Sequence, residues 1–579
     1  MNYRPENPMI VQGDKSVLLE VDSPHYMAAR DVLVRFAELV KSPEYIHTYR
    51  ITPLSLWNAA SAGLSAEAIL AGLDAYSKYP VPGNVRVDVV DYVSRYGRVK
   101  LIQSNGELQL VSEDAALIAE LVRHRLVQPY VLAQVDARTL RVDPGRRGYI
   151  KQALVNVGYP AEDLAGYVAG EALPFRLKPV LDDGGAFVLR RYQQEAADVF
   201  YAGGTSRGGS GVVVLPCGAG KTIVGMAIMA QMQSSALILT PNTVAVRQWI
   251  DELLAKTSLT EAEIGEYSGQ RKEIRPVTIS TYQTMTYCKR GARGEALAML
   301  EQYPHFRLFG ERDWGLIIYD EVHLLPAPVF RMTAEIQARR RLGLTATLVR
   351  EDGREEDVFS LIGPKKYDVP WKDLEKQGWI ATADVVEVRI PLRDDLRLEY
   401  AVTEQREKYR LSAENPAKFE VIDGLLQKHT DDQVLIIGMY LEQLGWVSER
   451  YGFPLITGKT SVKERRKLYE QFREGAITRL IVSKVGNFAI DLPDANVMIQ
   501  ISGTFGSRQE EAQRLGRILR PKSDRRLAHF YTLVTKDTLD QDFGANRQLF
   551  LTEQGYRYII LYADEVAGYT PATVEDTQL

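Results

Sequence analysis

The segment Val212-Val213-Val214-Leu215-Pro216-Cys217-Gly218-Ala219-Gly220-Lys221-Thr222 constrains the fold of this chain more than any other. A β-branched apolar run reads as a buried strand. It enters a glycine loop, and a helix-like segment, Ile223–Met232, follows at once. That order builds an anion cradle, because backbone N–H groups and a helix N-terminus converge beside a lysine. Gly218, Ala219 and Gly220 would wrap the phosphates of a nucleoside triphosphate. Lys221 would reach its β- and γ-phosphates, and the Thr222 hydroxyl would hold Mg2+. The strict glycine-loop pattern asks for glycine five residues before Gly220, where Leu215 stands.

A triphosphate site needs an acidic residue at the end of a second buried strand. Leu316-Ile317-Ile318-Tyr319 is such a strand, and Asp320-Glu321-Val322-His323 follows it, about a hundred residues downstream of the loop. Asp320 is placed to hold Mg2+ together with Thr222. Glu321 is placed to orient or deprotonate the attacking water. His323 is assigned a part in relaying nucleotide state.

At 579 residues the chain has room for three or four domains. Its two cysteines, Cys217 and Cys288, exclude a disulfide framework and a cysteine-rich zinc site. The first residues have no apolar signal core, and no long apolar run is present, so a cytoplasmic location without a membrane span is expected. A formal net charge of −4 leaves nucleic acid open, since a motor needs a local basic groove rather than a basic whole.

Residues 1–125 read as an N-terminal α/β accessory module, either winged-helix-like or a plain packing domain. Ser23-Pro24 and Thr52-Pro53 look like helix starts, and Ser65 with Glu67 opens another helix. Ser104-Asn105-Gly106 marks a hairpin between Val99–Ile102 and Leu108–Val111. Residues 126–180 form a smaller unit with a strand pair over about 131–142 and a helix over 148–157. From residue 181 strands alternate with helical patterns, as in parallel-sheet domains. The expected division is 181–368 and 369–579.

Thr345-Ala346-Thr347 follows an apolar strand and can link the γ-phosphate site to domain movement. Gln513, Arg517 and Arg520 recur at near-helical spacing and share roughly one face. Arginines there can reach across a cleft to a γ-phosphate, a contribution worth about 10³–10⁵ in rate. A site split between these halves implies two lobes that close and reopen.

With these residues in view, the chain resembles the XPB (xeroderma pigmentosum group B type) family of superfamily-two DNA helicases in its bacterial form. The variant at Leu215 is common in helicase-type motors. Leu189-Arg190-Arg191-Tyr192-Gln193 resembles the family's Q-motif, with proline replaced by Arg191. Arg190 and Gln193 would then contact the nucleotide, Gln193 at the adenine. Thr240-Pro241-Asn242 through Arg247-Gln248-Trp249, and Ser280-Thr281-Tyr282-Gln283, resemble strand-binding motifs, which assigns Arg247 and Thr281 to DNA. In the second lobe Ser483–Pro493 and Ser502–Arg508 are the corresponding segments, which puts Asp491 in coupling and Arg508 on DNA. Arg350-Glu351-Asp352, directly after Thr-Ala-Thr, resembles a charged loop that helps separate strands. The helical insertion near 396–412 resembles the family's thumb-like element, and 126–180 its damage-recognition-like domain.

The resemblance implies an α/β fold with two RecA-like parallel-sheet motor domains, N-terminal α/β accessory domains and a small helical insertion. It implies ATP and Mg2+ as cofactors and single-stranded, forked or bubble DNA as partner. The expected activity is a 3′-5′ DNA helicase or translocase in nucleotide-excision-type repair, with transcription as a second setting. A nuclease or repair partner would be a separate chain. A duplex translocase with little unwinding, an RNA helicase and a non-enzymatic assembly subunit stay open as alternatives.

Overall fold

The computed structural model describes residues 3–570, except 43–44, 183, 217, 289–301, 338, 347–353, 370–373, 375–382, 484–494, 504–527 and 554–557. Four sheets organise the described residues. Strands β1 (Met9–Val11), β2 (Ser16–Glu20), β3 (Glu38–Lys41) and β4 (Ile46–Arg50) form an antiparallel sheet in the order β1-β2-β4-β3. Helices 53–61, 66–76 and 83–95 complete this N-terminal module, and Val17, Leu19, Tyr49, Leu56, Ile69 and Val85 are buried in its core.

Helix 53–61 begins as the sequence suggests. Thr52 accepts from the Ser55 N–H at 3.0 Å, and the Ser55 hydroxyl accepts from the Thr52 N–H at 3.0 Å. Ser65 likewise caps the next helix. Ser23-Pro24 does not open a helix. Ser23 Oγ accepts from the His25 N–H at 3.2 Å in a local turn, and the helix starts at Tyr26.

The second sheet contains β5 (Lys100–Ser104), β6 (Glu107–Val111), β7 (Val131–Asp136), β8 (Thr139–Val142) and β9 (Glu162–Asp163), in the order β7-β8-β6-β5-β9. The hairpin turn is Asn105-Gly106, both with positive φ. This sheet crosses the division expected at 125/126. Residues of β6 pair antiparallel with β8, so Leu110 lies opposite Leu140, and both side chains enter one core with Leu101, Ile118 and Leu154. The hairpin therefore belongs with the smaller unit.

The third sheet is parallel throughout: β10 (Ser210–Val214), β11 (Ala236–Thr240), β12 (Ile264–Tyr267), β13 (Val277–Thr281), β14 (Leu316–Asp320), β15 (Arg340–Thr345) and β16 (Lys365–Asp368), in the order β12-β13-β11-β14-β15-β10-β16. Every residue of β10, β11 and β13 is buried. A sheet covered on both faces needs unbroken apolar runs rather than alternation. The fourth sheet repeats this design in the second lobe, with β17 (Ala383–Ile390), β18 (Val434–Gly438), β19 (Leu455–Ile456), β20 (Arg479–Ser483), β21 (Val497–Gln500), β22 (Ala528–Thr535) and β23 (Tyr558–Tyr562), all parallel. The α/β class and the two parallel-sheet lobes agree with the sequence expectation.

In lobe two a buried ion pair joins helix 418–428 to helix 539–553. Lys418 Nζ lies 2.8 Å from Asp540 Oδ2 and also donates to the Ile501 carbonyl at 2.9 Å. The insertion near 396–412 is two helices, 394–402 and 405–413. The first buries none of its residues, and Leu398 and Val402 are each 78% exposed. The second is anchored by Tyr409, whose ring meets Phe543 edge-on at 4.8 Å.

The smaller unit docks on lobe one through polar contacts. Within it Asp163, whose side chain is 10% exposed, sits 2.6 Å from the buried Arg147 Nη2 and 3.2 Å from the buried Lys151 Nζ, and Lys151 donates across to Gln337 Oε1 at 2.9 Å. The N-terminal module touches both lobes. On lobe one, Trp57 packs with Phe359, and Asn58 Oδ1 accepts from the Lys365 N–H at 3.0 Å. On lobe two, Leu549 of helix 539–553 is buried within the core of that module. Among the described residues no helix is long and apolar enough to cross a membrane.

Candidate nucleotide site

Register brings the site together. Val214 lies opposite Thr345, and Leu344 opposite Asp320, so the glycine loop, the acidic pair and the Thr-Ala segment leave the sheet at one edge. Ligands of open parallel sheets bind at the C-terminal ends of the strands.

Helix 221–232 begins at Lys221, preceded by Gly220 with φ +81°. The backbone at Gly220 favours glycine, and a Cβ there would lie 2.6 Å from Gln193 Nε2 and displace that amide. Gln193 and Tyr192, on helix 191–201, brace the loop from behind. Gln193 Nε2 donates to the Ala219 carbonyl at 3.0 Å, and the Tyr192 hydroxyl donates to the same carbonyl at 2.8 Å. Gln193 Oε1 accepts from the Arg190 N–H at 3.0 Å, and Arg190 Nη1 donates to the Tyr192 oxygen at 3.2 Å. The Gln193 amide thus serves backbone groups, where the sequence reading had it facing adenine. Tyr192 was missed. Its signal was its place beside Gln193 in the Arg-Tyr-Gln run.

Opposite the loop, Lys221 Nζ lies 2.9 Å from Glu321 Oε1. Glu321 has φ +50°, a left-handed conformation that is uncommon outside glycine and recurs where function holds the backbone. His323 Nδ1 lies 2.5 Å from Thr345 Oγ1 and 3.5 Å from Glu321 Oε2. His323, Thr345 and Glu321 therefore form one contact chain, and the Ala346 N–H adds a hydrogen bond to Glu321.

The two carboxylates are driven apart electrostatically. Burial, with the neighbouring Glu321 charge second, pushes Asp320 up to about 6. Burial also pulls on Glu321, but the Lys221 ammonium and then His323 outweigh it and hold that carboxyl below its ordinary value. Asp320 Oδ2 accepts from the indole N–H of Trp249 at 3.0 Å, and its backbone carbonyl accepts from the Tyr282 hydroxyl at 2.8 Å. Neither aromatic was assigned to this site from sequence.

No group of three or more His, Cys, Asp or Glu side chains is placed to hold a metal among the described residues. One half-buried carboxylate and one hydroxyl, Asp320 and Thr222, suit Mg2+ that arrives on phosphates and keeps most of its waters. Of the residues assigned to DNA, Arg247 is exposed on helix 243–256. Thr281 is 2% exposed, and its hydroxyl caps helix 282–285 by accepting from the Thr284 N–H at 3.0 Å. Thr347, Arg350, Glu351, Asp352, Asp491, Arg508, Gln513, Arg517 and Arg520 lie outside the described residues.

Three family models match the chain. Residues 374–575 match the ERCC3/RAD25/XPB C-terminal helicase model. Residues 186–350 match "Type III restriction enzyme, res subunit", and 9–136 match "Helicase conserved C-terminal domain". A protein of Kineococcus radiotolerans named "DNA 3'-5' helicase XPB" is 56% identical over 567 residues, covering 98% of each chain. A Mycobacterium tuberculosis protein of the same name is 56% identical over 564 residues, covering 97% of this chain and 99% of that one. The "General transcription and DNA repair factor IIH helicase/translocase subunit XPB" of Antonospora locustae is 35% identical, covering 96% of this chain and 81% of that one. The solved Hef helicase domain of Pyrococcus furiosus is 15% identical, with a TM-score of 0.42, covering 62% of this chain and 97% of that one. Near-complete coverage at 56% identity places the chain in the XPB family of helicases.

Proposed function

We propose that this chain is an ATP-driven DNA helicase or translocase that moves 3′ to 5′ and acts in DNA repair, with transcription as a second setting. The observation that carries the reading is Lys221, at the start of a helix behind a glycine loop, facing Asp320 and Glu321 across one edge of a parallel sheet. The names of the bacterial relatives support the activity, and those of the eukaryotic relatives support the setting.

Lys221 and Glu321, the groups that hydrolysis needs, pair with each other. Phosphates of ATP compete for Lys221, and its transfer to them frees Glu321. Glu321 then orients a water and takes its proton as the water oxygen bonds to the γ-phosphorus. The bond to the bridging oxygen breaks, and ADP leaves with that oxygen. Asp320 and Thr222 would hold Mg2+, which would supply charge neutralisation at the phosphates. His323 and Thr345 pass the change at Glu321 to the Thr-Ala-Thr segment. From the other lobe, Gln513, Arg517 and Arg520 would complete the γ-phosphate contacts. DNA would lie against Arg247 and Arg508, with Arg350-Glu351-Asp352 between the strands, bound mainly through phosphates and stacking.

ATP hydrolysis measured with single-stranded, duplex, forked and bubble DNA tests the reading, beside unwinding of forks with 3′ and 5′ tails. Stimulation by DNA over RNA and a 3′-tail requirement are expected. Hydrolysis indifferent to nucleic acid would overturn it. Arg350→Ala should spare most hydrolysis and impair unwinding, whereas equal loss of both would move Arg350 into the nucleotide site. The eukaryotic relatives are named helicase/translocase, which favours duplex translocation as a second reading. Triplex displacement without fork unwinding would select it.

A further inference from the structure

Two segments read as strand contacts converge on Asp320. On helix 243–256, Arg247 is exposed, while Trp249, two residues on, is 1% exposed and donates its indole N–H to Asp320 Oδ2 at 3.0 Å. Tyr282, next to Thr281, donates its hydroxyl to the Asp320 backbone carbonyl at 2.8 Å. The indole is fixed in place by close packing. A Cβ on Gly225 would lie 2.6 Å from Trp249 Cη2, so helix 221–232, which starts at Lys221, accepts the ring only because position 225 is glycine. Trp249 therefore touches the helix that carries Lys221, the Asp320 carboxylate, and, through its own helix, the exposed face bearing Arg247.

The contact has a direction. The buried indole N–H holds one oxygen of Asp320 in place, and it comes from a helix that a bound strand would press upon.

We propose that Trp249 is a positioning residue, which fixes the Asp320 carboxylate for Mg2+ and carries strand engagement on helix 243–256 to it. The proposal rests on the nucleotide-site reading above. Neither Trp249 nor Tyr282 acts on the reacting atoms.

Trp249→Phe keeps an aromatic ring and removes the donor. Binding of a fluorescent ATP analogue, followed as Mg2+ is titrated, should need about 10-fold more Mg2+ in this variant, the usual scale for losing an outer-shell partner of a metal ligand. Stimulation by single-stranded DNA should shrink while DNA affinity is retained. Tyr282→Phe, which leaves the carboxylate's own donor in place, should give a smaller rise in the Mg2+ midpoint, and it tests the link should the tryptophan variant fail to fold. An unchanged Mg2+ midpoint in folded Trp249→Phe would overturn the positioning role. A raised midpoint with undiminished DNA stimulation would overturn the coupling. If the unmutated chain binds no nucleotide with Mg2+, the nucleotide-site reading falls and this proposal with it. Normal binding there with failure in the variant alone isolates Trp249.

Discussion

Lys221 and Lys418 are both largely buried ammonium groups facing one carboxylate, at 2.9 Å and 2.8 Å. Their surroundings differ. Lys418 and Asp540 side chains are 2% and 0% exposed, and backbone groups bind both: the Ile501 carbonyl takes a second proton of Lys418, and the Thr535 N–H donates to Asp540. Lys221 and Glu321 keep 12% and 13% exposure, and Glu321 sits on a left-handed backbone at the open edge of a sheet. A lysine sealed with its partner inside the protein is a fastener. One whose partner lies beside an open edge can exchange it for a phosphate. Burial alone does not separate these roles, but the neighbours of the pair do.

The largest expected effect falls on the fastener. Lys418→Ala leaves Asp540 buried without its cation and should cost about 3–5 kcal/mol of stability, read by urea unfolding. Replacing both partners, Lys418→Met with Asp540→Leu, should recover much of that loss. Recovery by neither route would mean that the pair is not what holds the two helices together. At the exchangeable pair the loss should appear in turnover. Lys221→Ala is expected to lower ATP hydrolysis by about 10²–10³-fold or more, with DNA binding kept. Wild-type-like turnover there would refute the site assignment.

A smaller effect concerns pH. Asp320 is raised to about 6, so it ionises as pH rises through 6 and is lost as a metal ligand below it. The kcat/KM for ATP, which reports the free enzyme, should fall as pH drops through about 6, whereas an ordinary carboxylate would hold activity to about pH 4. A profile flat to pH 5 would mean that Asp320 is not raised above an ordinary carboxylate. The smallest effect is at the brace. Tyr192→Phe deletes one of two donors on the Ala219 carbonyl and should raise the KM for ATP about fivefold, with kcat little changed.

The sequence was most readable where local chemistry decides structure. Continuous apolar runs gave β10 and β14, and the Gly-Lys-Thr and Asp-Glu segments at their ends were legible without a fold. Thr52-Pro53 and Asn105-Gly106 set local conformation through side chains and positive φ, and both formed where expected. Pairing across distance was not readable. Leu110 opposite Leu140 depends on register between segments thirty residues apart, so the hairpin was grouped with the wrong module. The aromatic donors were invisible for a related reason. Tyr192, Trp249 and Tyr282 stood in the sequence only as members of their motif segments, and only the folded chain aims their polar tips at Ala219 and Asp320. Gln193 was noticed, but its partners could not be inferred, since an amide serves backbone and base edges equally well.

The N-terminal module, seated on Lys365 in one lobe and around Leu549 in the other, has a mechanical consequence. A rigid body docked at two points spans a fixed distance. Whenever the lobes swing apart by more than side chains can stretch, one dock must let go, and a polar contact backed by Phe359 against Trp57 and Tyr96 should yield differently from an apolar socket. The module is therefore a gauge of cleft opening, and whatever grips or displaces it has leverage on how far each stroke can travel.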